Sequence, residues 1–247
     1  MTVALSFDFW NTLYAPGDES RRQVLRIERL WKEAGRHRSV EKTEIKSALA
    51  ASTRFFFHEW QEKLRTPTTH ARIALMADLL NIRFSEEQIS DIIDYFGNLI
   101  FEISPENIPH VKSLINHLSR TYPLAIISDT GYISGKYIRA FLKKEELLSC
   151  FQSTVFSDEE ENSKPHASLF HKTAKNLGIS VNRMVHTGDL ELTDVRGAKS
   201  AGCKSIKFIG VNASDGETSA ADRIIDSYDQ FNHILKDLFA EDNDPSE

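Results

Sequence analysis

The chain has 247 residues, enough for a core domain and a smaller insertion, and its 40% hydrophobic and 27% charged residues are ordinary for a globular protein. The formal net charge is −6 with no long basic run, which argues against a nucleic-acid partner, whose binding would need clustered Lys and Arg. No segment is apolar for long enough to span a bilayer, so no membrane partner is expected.

The N-terminal run Val3-Ala4-Leu5-Ser6-Phe7 predicts a first strand over about residues 2–7, ending at Asp8. It lacks the basic flank and long apolar stretch of a signal peptide, and a cytoplasmic location is expected. Helical spacing takes over from about residue 14. Val24, Leu25, Ile27, Leu30 and Trp31 recur on one periodicity, and a long helix is predicted from near Ser39 through Ile45, Leu49, Phe55-Phe56-Phe57 and Trp60. Ser85 and Gln88 form a capping box that opens another helix toward Phe101, because each side chain can satisfy an orphan amide of the other. After Pro105 the pattern alternates. Helices are predicted near 109–119, 135–144, through Phe170 and Ala174 to a C-cap at Gly178, and up to Gly202. Strands are predicted at 123–127, 153–156, 184–187, 204–209 and 223–226, with a closing helix to about residue 239.

Short apolar strands alternating with helices imply an α/β fold, a Rossmann-like doubly wound parallel sheet covered on both faces. The helical block reads as an inserted all-helical cap domain over the sheet's carboxyl edge, where open α/β sheets bind ligands. The expected division is a core of residues 1–13 and 106–240, a cap of residues 14–105 and a flexible acidic tail of residues 241–247. Cys150 and Cys203 have no metal-like spacing and read as reduced thiols.

Polar residues follow separate apolar runs: Asp8, Ser128, Lys164, and Asp189 with Asp194. Ends of parallel strands share one edge, so these residues should converge. An aspartate can attack phosphorus to give an aspartyl-phosphate, and magnesium takes carboxylates together with phosphate oxygens. Lysine offsets the charge of the anions, and Ser128 can donate to a phosphoryl oxygen. The set suits a small-molecule anionic substrate despite the net negative charge, because a metal and one lysine make a pocket locally positive. Each residue also has a plainer reading: Asp8, Asp189 and Asp194 as helix caps, Ser128 as a turn hydroxyl, and Lys164 as a surface lysine.

The motifs Phe7-Asp8-Phe9-Trp10-Asn11-Thr12-Leu13, Ile127-Ser128, Ser163-Lys164-Pro165 and Gly188-Asp189 with Asp194 together resemble those of the haloacid dehalogenase superfamily, in order and over nearly the whole chain. The resemblance implies Asp8 as nucleophile and magnesium ligand, the Trp10 carbonyl and Asp189 as further ligands, and Asp194 holding metal-bound water. It also implies Ser128 and Lys164 as catalytic residues that bind the transferring group. Phosphatases of this superfamily carry a second aspartate two residues after the nucleophile, as general acid and base; here that position is Trp10. Indole has no proton to offer at useful pH. The leading expectation is a magnesium-dependent phosphatase on a small phosphorylated metabolite. One alternative is a 2-haloacid dehalogenase-like hydrolase, since halide release needs no proton, although Asp129 after Ser128 suits a haloacid's carboxylate poorly. The other is a catalytically weak binding or regulatory protein. Phosphonate-cleaving relatives keep metal without the acid but need a cap lysine, for which Lys32, Lys42, Lys46 and Lys63 are available.

Overall fold

The computed structural model of the chain describes residues 3–212 and 219–240. Strand β1 (Ala4–Phe7) is a run of four buried residues, and the chain leaves it at Asp8. A two-residue strand, β2 (Tyr14–Ala15), precedes four successive helices: α1 (Glu19–Ala34), α2 (Lys42–Lys63), α3 (Thr69–Leu79) and α4 (Glu86–Glu102). Strand β3 (Glu106–Asn107) then pairs antiparallel with β2 and joins the two ends of this helical excursion. From there helix and strand alternate through α5 (Val111–Leu118), β4 (Leu124–Ser128), α6 (Gly135–Lys144), β5 (Ser153–Phe156), α7 (Ala167–Asn176) and β6 (Met184–Gly188). The chain closes with α8 (Arg196–Ala201), β7 (Lys204–Phe208), β8 (Arg223–Ile225) and α9 (Phe231–Ala240). Thr2, expected in the first strand, and the expected tail of residues 241–247 lie outside the described residues.

Six strands form one parallel sheet in the order β5-β4-β1-β6-β7-β8. Side chains alternate across it, as strand geometry requires. Leu5, Phe7, Ile126 and Val185 face a layer built by Ile115 of α5, Phe141 of α6 and Phe231 of α9. Ile127 and Met184 face the opposite layer, with Phe170 of α7 and Ala198 of α8. Burial on both faces explains why the central strands are continuous apolar runs. A third apolar cluster lies in the helical insertion, where Leu30, Ile45, Met76, Ile92 and Phe96 pack with Tyr132 from the loop after β4. Among the described residues no helix is long and apolar enough to cross a membrane.

Two boundary expectations are corrected. The long helix starts at Lys42, not near Ser39, because Glu41 and Glu44 form the capping box that opens it. On α1, Val24 and Trp31 are 55% and 41% exposed, while Arg22 and Arg26 are buried. The α1 stripe therefore turns a cationic edge inward, which a count of apolar residues alone cannot register. The Ser85–Gln88 box forms as expected.

The insertion meets the core at several points. Trp60 Nε1 of α2 donates to Asp129 Oδ2 at 2.8 Å, and the Ser163 N–H donates to the Leu64 carbonyl at 2.6 Å. Helix α4 packs closely on α6, since a Cβ on Gly97 would lie 2.1 Å from the Tyr137 ring. Gly97→Ala should therefore destabilise the protein by about 1–3 kcal/mol through overpacking, although alanine is the better helix former by about 1 kcal/mol. Chemical denaturation measures this, and a variant as stable as wild type would show that the α4–α6 contact is looser than described.

Candidate active site

Strands β4, β1 and β6 are neighbours, so their carboxyl ends bring Ser128, Asp8 and Gly188-Asp189 side by side. Asp8 is 6% exposed, and its N–H continues the sheet by donating to the Thr187 carbonyl at 2.8 Å. Lys164 enters from the loop between β5 and α7. Its Nζ donates to Asp8 Oδ1 at 2.7 Å and to Asp194 Oδ1. Asp194 arrives on a tight π-helical turn, Glu191–Val195, and its Oδ2 accepts the Leu190 N–H at 3.0 Å. That turn folds back onto Gly188, where any Cβ would lie 2.2 Å from Asp194 Cγ, so only glycine fits.

Beneath the carboxylates sits His186, which the sequence placed in a strand without a role. Its Nε2 lies 3.1 Å from Asp194 Oδ1 and its Nδ1 3.0 Å from Ser6 Oγ. Burial holds the imidazole below its usual pKa, against the pull of Asp194. One neutral tautomer satisfies both contacts, with Nε2–H donating to Asp194 and Nδ1 accepting the Ser6 hydroxyl.

Ligand oxygens of Asp8, Asp189 and Asp194 lie within 4.8 Å of one another. Burial pushes Asp8 up to about 6, with Lys164 opposing the shift and Asp194 adding to it. Burial also pushes Asp189 up to about 7, and there the charges of Asp194 and Asp8 add to it. Asp194 goes the other way: burial disfavours its charge, but Lys164 and His186 hold it ionised below the usual carboxylate range. Lys164 is likewise held charged, because Asp194, Asp8 and Asp129 outweigh its burial. Three buried carboxylates facing one ammonium form an oxygen-rich, electron-rich set, which is what a hard divalent cation requires.

Ser128 is fully buried at the end of β4, where its hydroxyl supports the ionised form of Asp8. Asp129 is structural here: Oδ1 accepts the Lys164 N–H at 3.0 Å and Oδ2 the Trp60 indole N–H. Trp10 is half-buried in the turn after Asp8, edge-on to Phe9 with ring centroids 4.8 Å apart. Its ring forms one wall of a cavity of about 430 Å³ between insertion and core, lined also by Arg22, Arg26, Phe56, Arg72 and Tyr132. The four insertion lysines, with Arg54, His58 and His70, are exposed and do not line this cavity. Cys203 is buried, and burial pushes its thiol up to about 12. The arginines went unnoticed in the sequence, where Arg22 and Arg26, four apart on the stripe of Ile27 and Leu30, were the available signal.

The profile of the family described as haloacid dehalogenase-like hydrolase matches residues 7–208. Phosphoglycolate phosphatase of Salmonella choleraesuis is 26% identical over 161 residues, 62% of this chain and 61% of that protein. The Escherichia coli phosphoglycolate phosphatase is 25% identical over 126 residues, 49% of this chain and 48% of that protein. The alignments thus span about three fifths or less of the length of these curated relatives. Among solved structures, 2-haloacid dehalogenase from Pseudomonas syringae superposes with a TM-score of 0.71 at 18% identity, covering 96% of this chain and 100% of that one. A phosphatase from Thermococcus onnurineus gives 0.65 at 22% identity, covering 95% and 98%. At such identities the superpositions speak for the fold. The family profile covers Asp8, Ser128, Lys164, Asp189 and Asp194, and the chain belongs to the haloacid dehalogenase-like hydrolase family.

Proposed function

We propose that the chain is a magnesium-dependent phosphatase that transfers the phosphoryl group of a small phosphorylated metabolite to Asp8. The observation that carries this reading is the buried trio Asp8, Asp189 and Asp194 gathered around Lys164. Attack on carbon with halide release needs no cation, and it gives no use for a carboxyl group crowded beside two others, as Asp189 is. That the curated relatives are phosphoglycolate phosphatases supports a phosphatase reading.

Asp8, Asp189 and the Trp10 carbonyl would hold the ion, with Asp194 beside them adding negative charge; bound there, magnesium would neutralise the carboxylates and draw charge from the phosphoryl oxygens. Lys164 fixes the Asp8 carboxylate through Oδ1 and offsets its charge. An Asp8 oxygen attacks phosphorus, the bond to the leaving oxygen breaks, and that oxygen departs with the electron pair. Ser128 and Lys164 hold the phosphoryl oxygens. Water then attacks phosphorus in the aspartyl-phosphate, which releases phosphate and restores Asp8. The proton for the leaving oxygen has no donor at position 10, so leaving groups that are stable as anions are preferred.

Trp10 also favours a second reading, halide release from a haloacid, because that reaction does without an acid. A panel of phosphate esters and haloacids, each with magnesium and with chelator, separates the two. The expected pattern is ester hydrolysis only with magnesium, abolished in Asp8→Asn with the fold intact. Haloacid turnover that ignores chelator would replace the first reading with the second.

A raised carboxyl pKa favours the fold at low pH: its contribution is full below the unfolded value and is lost as pH rises through the folded one, about 7 for Asp189. In chelator, Asp189→Asn should therefore melt above wild type by several degrees at pH 8 and by less at pH 5. Magnesium should raise the melting temperature of wild type but not of the variant. A variant that melts below wild type at pH 8 in chelator would show that Asp189 is not crowded by its neighbours.

For aryl phosphates little protonation is needed, whereas for alkyl phosphates general acid assistance is worth roughly a hundredfold or more. Wild type should strongly favour aryl over alkyl esters in kcat/KM. Trp10→Asp should narrow that ratio by raising the alkyl rate, while Trp10→Ala, which opens the same space without an acid, should not. Equal aryl and alkyl rates in wild type would mean that another group delivers the proton.

A further inference from the structure

Three arginines of the insertion face the cavity behind Trp10, and each is almost wholly buried: Arg22 is 0%, Arg26 5% and Arg72 3% exposed. Two of them, Arg22 and Arg26, share one carboxylate, Glu19, which reaches Arg22 Nη1 at 3.2 Å and also pairs with Arg26 Nη1. The Glu19 side chain is itself 57% exposed, so solvent screens much of its charge. Arg72 has no ion pair among the described residues. Its Nε donates to Ser52 Oγ at 3.3 Å, and its guanidinium carbon lies 3.4 Å from the centroid of the Tyr132 ring, with that of Arg26 5.0 Å from the same centroid. Burial pushes Arg72 down to about 10; Arg26 adds to the shift and Tyr132 opposes it.

Structure alone accounts for Arg22, whose Nη2 caps the Ile103 carbonyl at the end of α4. It does not account for Arg72. A buried cation without a counter-ion is costly, and stacking on an aromatic ring offsets only part of that cost. Besides the arginines, the walls are formed by apolar residues, including Leu49, Phe56, Phe57 and Ile133, with Glu19, Gln23 and Thr53 as polar members, and the volume of about 430 Å³ is in the range of small-molecule sites. Asp8, Ser128 and Lys164 do not line this space. It adjoins them through Trp10, two residues past Asp8, and through Gly131 to Ile133, in the loop that follows Ser128 and Asp129.

We propose that this cavity receives the far end of the substrate, an anionic group carried on an aromatic or apolar spacer, with Arg72 and Arg26 as its counter-ions. The proposal rests on the phosphatase reading and names its substrate class: a phosphate monoester with a second anionic terminus, carboxylate or phosphate. Guanidinium forks match either, and such charge-assisted pairs are the stronger hydrogen bonds. Trp10 then stands between the reacting phosphoryl group and the recognised terminus.

The test compares phenyl phosphate, 4-carboxyphenyl phosphate and 1,4-phenylene bisphosphate, all aryl esters for which the missing acid matters little. Wild type should favour one or both para-charged esters over phenyl phosphate by about tenfold or more in kcat/KM, expressed mainly in KM. Arg72→Gln should bring that ratio close to its value in solution chemistry, and Arg72→Lys should restore part of it. Because the ratio is internal to each protein, it is insensitive to general loss of activity, and Arg26→Gln carries the same comparison if Arg72→Gln does not fold. The better of the two charged esters identifies the terminus as carboxylate or phosphate. An equal preference in wild type and Arg72→Gln overturns the proposal. If no ester is turned over, the phosphatase reading fails, and calorimetry with 4-hydroxybenzoate judges the cavity separately. Binding by wild type that is lost in Arg72→Gln supports the subsite, and no binding by wild type overturns it.

Discussion

Lys164 is the contact on which the candidate site depends. Its ammonium is buried between Asp8 and Asp194, and for both carboxylates it is the strongest influence opposing burial. Such a cluster is held against large desolvation terms, so it survives only if every member is positioned by something else. The sheet supplies Asp8, the Glu191–Val195 turn supplies Asp194, and Gly188 makes room for that turn. His186, kept neutral, takes up the remaining demand of Asp194 without adding a second positive charge. Asp189 is left over, crowded by two anions with only partial relief from the lysine, and burial with this crowding pushes its carboxyl up to about 7.

The same lysine couples the site to the insertion. Its main-chain N–H is held by Asp129, and the other oxygen of Asp129 takes the Trp60 indole from α2. One residue along, the Ser163 N–H donates to Leu64 at the end of α2. The position of α2 is therefore tied through two hydrogen bonds to the loop that delivers Lys164. A shift of the insertion cannot leave the lysine untouched, because a buried carboxylate that loses one of its two donors costs about 1–3 kcal/mol.

The core was largely legible in the sequence because its signals are local. Leu124-Ala125-Ile126-Ile127 can only be a strand buried on both faces, and a parallel sheet necessarily brings Asp8, Ser128 and Asp189 to one edge. The ribbon of β2 and β3 was missed because two-residue strands have no periodicity to read. On α1 the helical spacing was legible, and Ile27 and Leu30 are buried, but which other residues join them was not: Trp31 anchors its indole on the Val40 carbonyl at the surface, while Arg22 and Arg26 turn inward. His186 was invisible as a functional group because its partners, Ser6 and Asp194, are 180 and eight residues away. Asp129 was read only as an obstacle to a haloacid carboxylate; its two donors come from Trp60 and Lys164, and no local pattern links these three.

Trp10 joins the two halves of this picture. Indole at position 10 offers neither a proton at useful pH nor a negative charge, and Trp10 is part of the wall of the adjoining cavity. A carboxylate at position 10 would be a natural counter-ion for the guanidinium groups behind it, competing with any anionic ligand end. With an indole there, the carboxylate in the cavity wall is Glu19, already shared by Arg22 and Arg26 and partly in solvent. The arginine-lined cavity thus has an uncharged aromatic residue, Trp10, in its wall, and Arg72 enters no ion pair among the described residues.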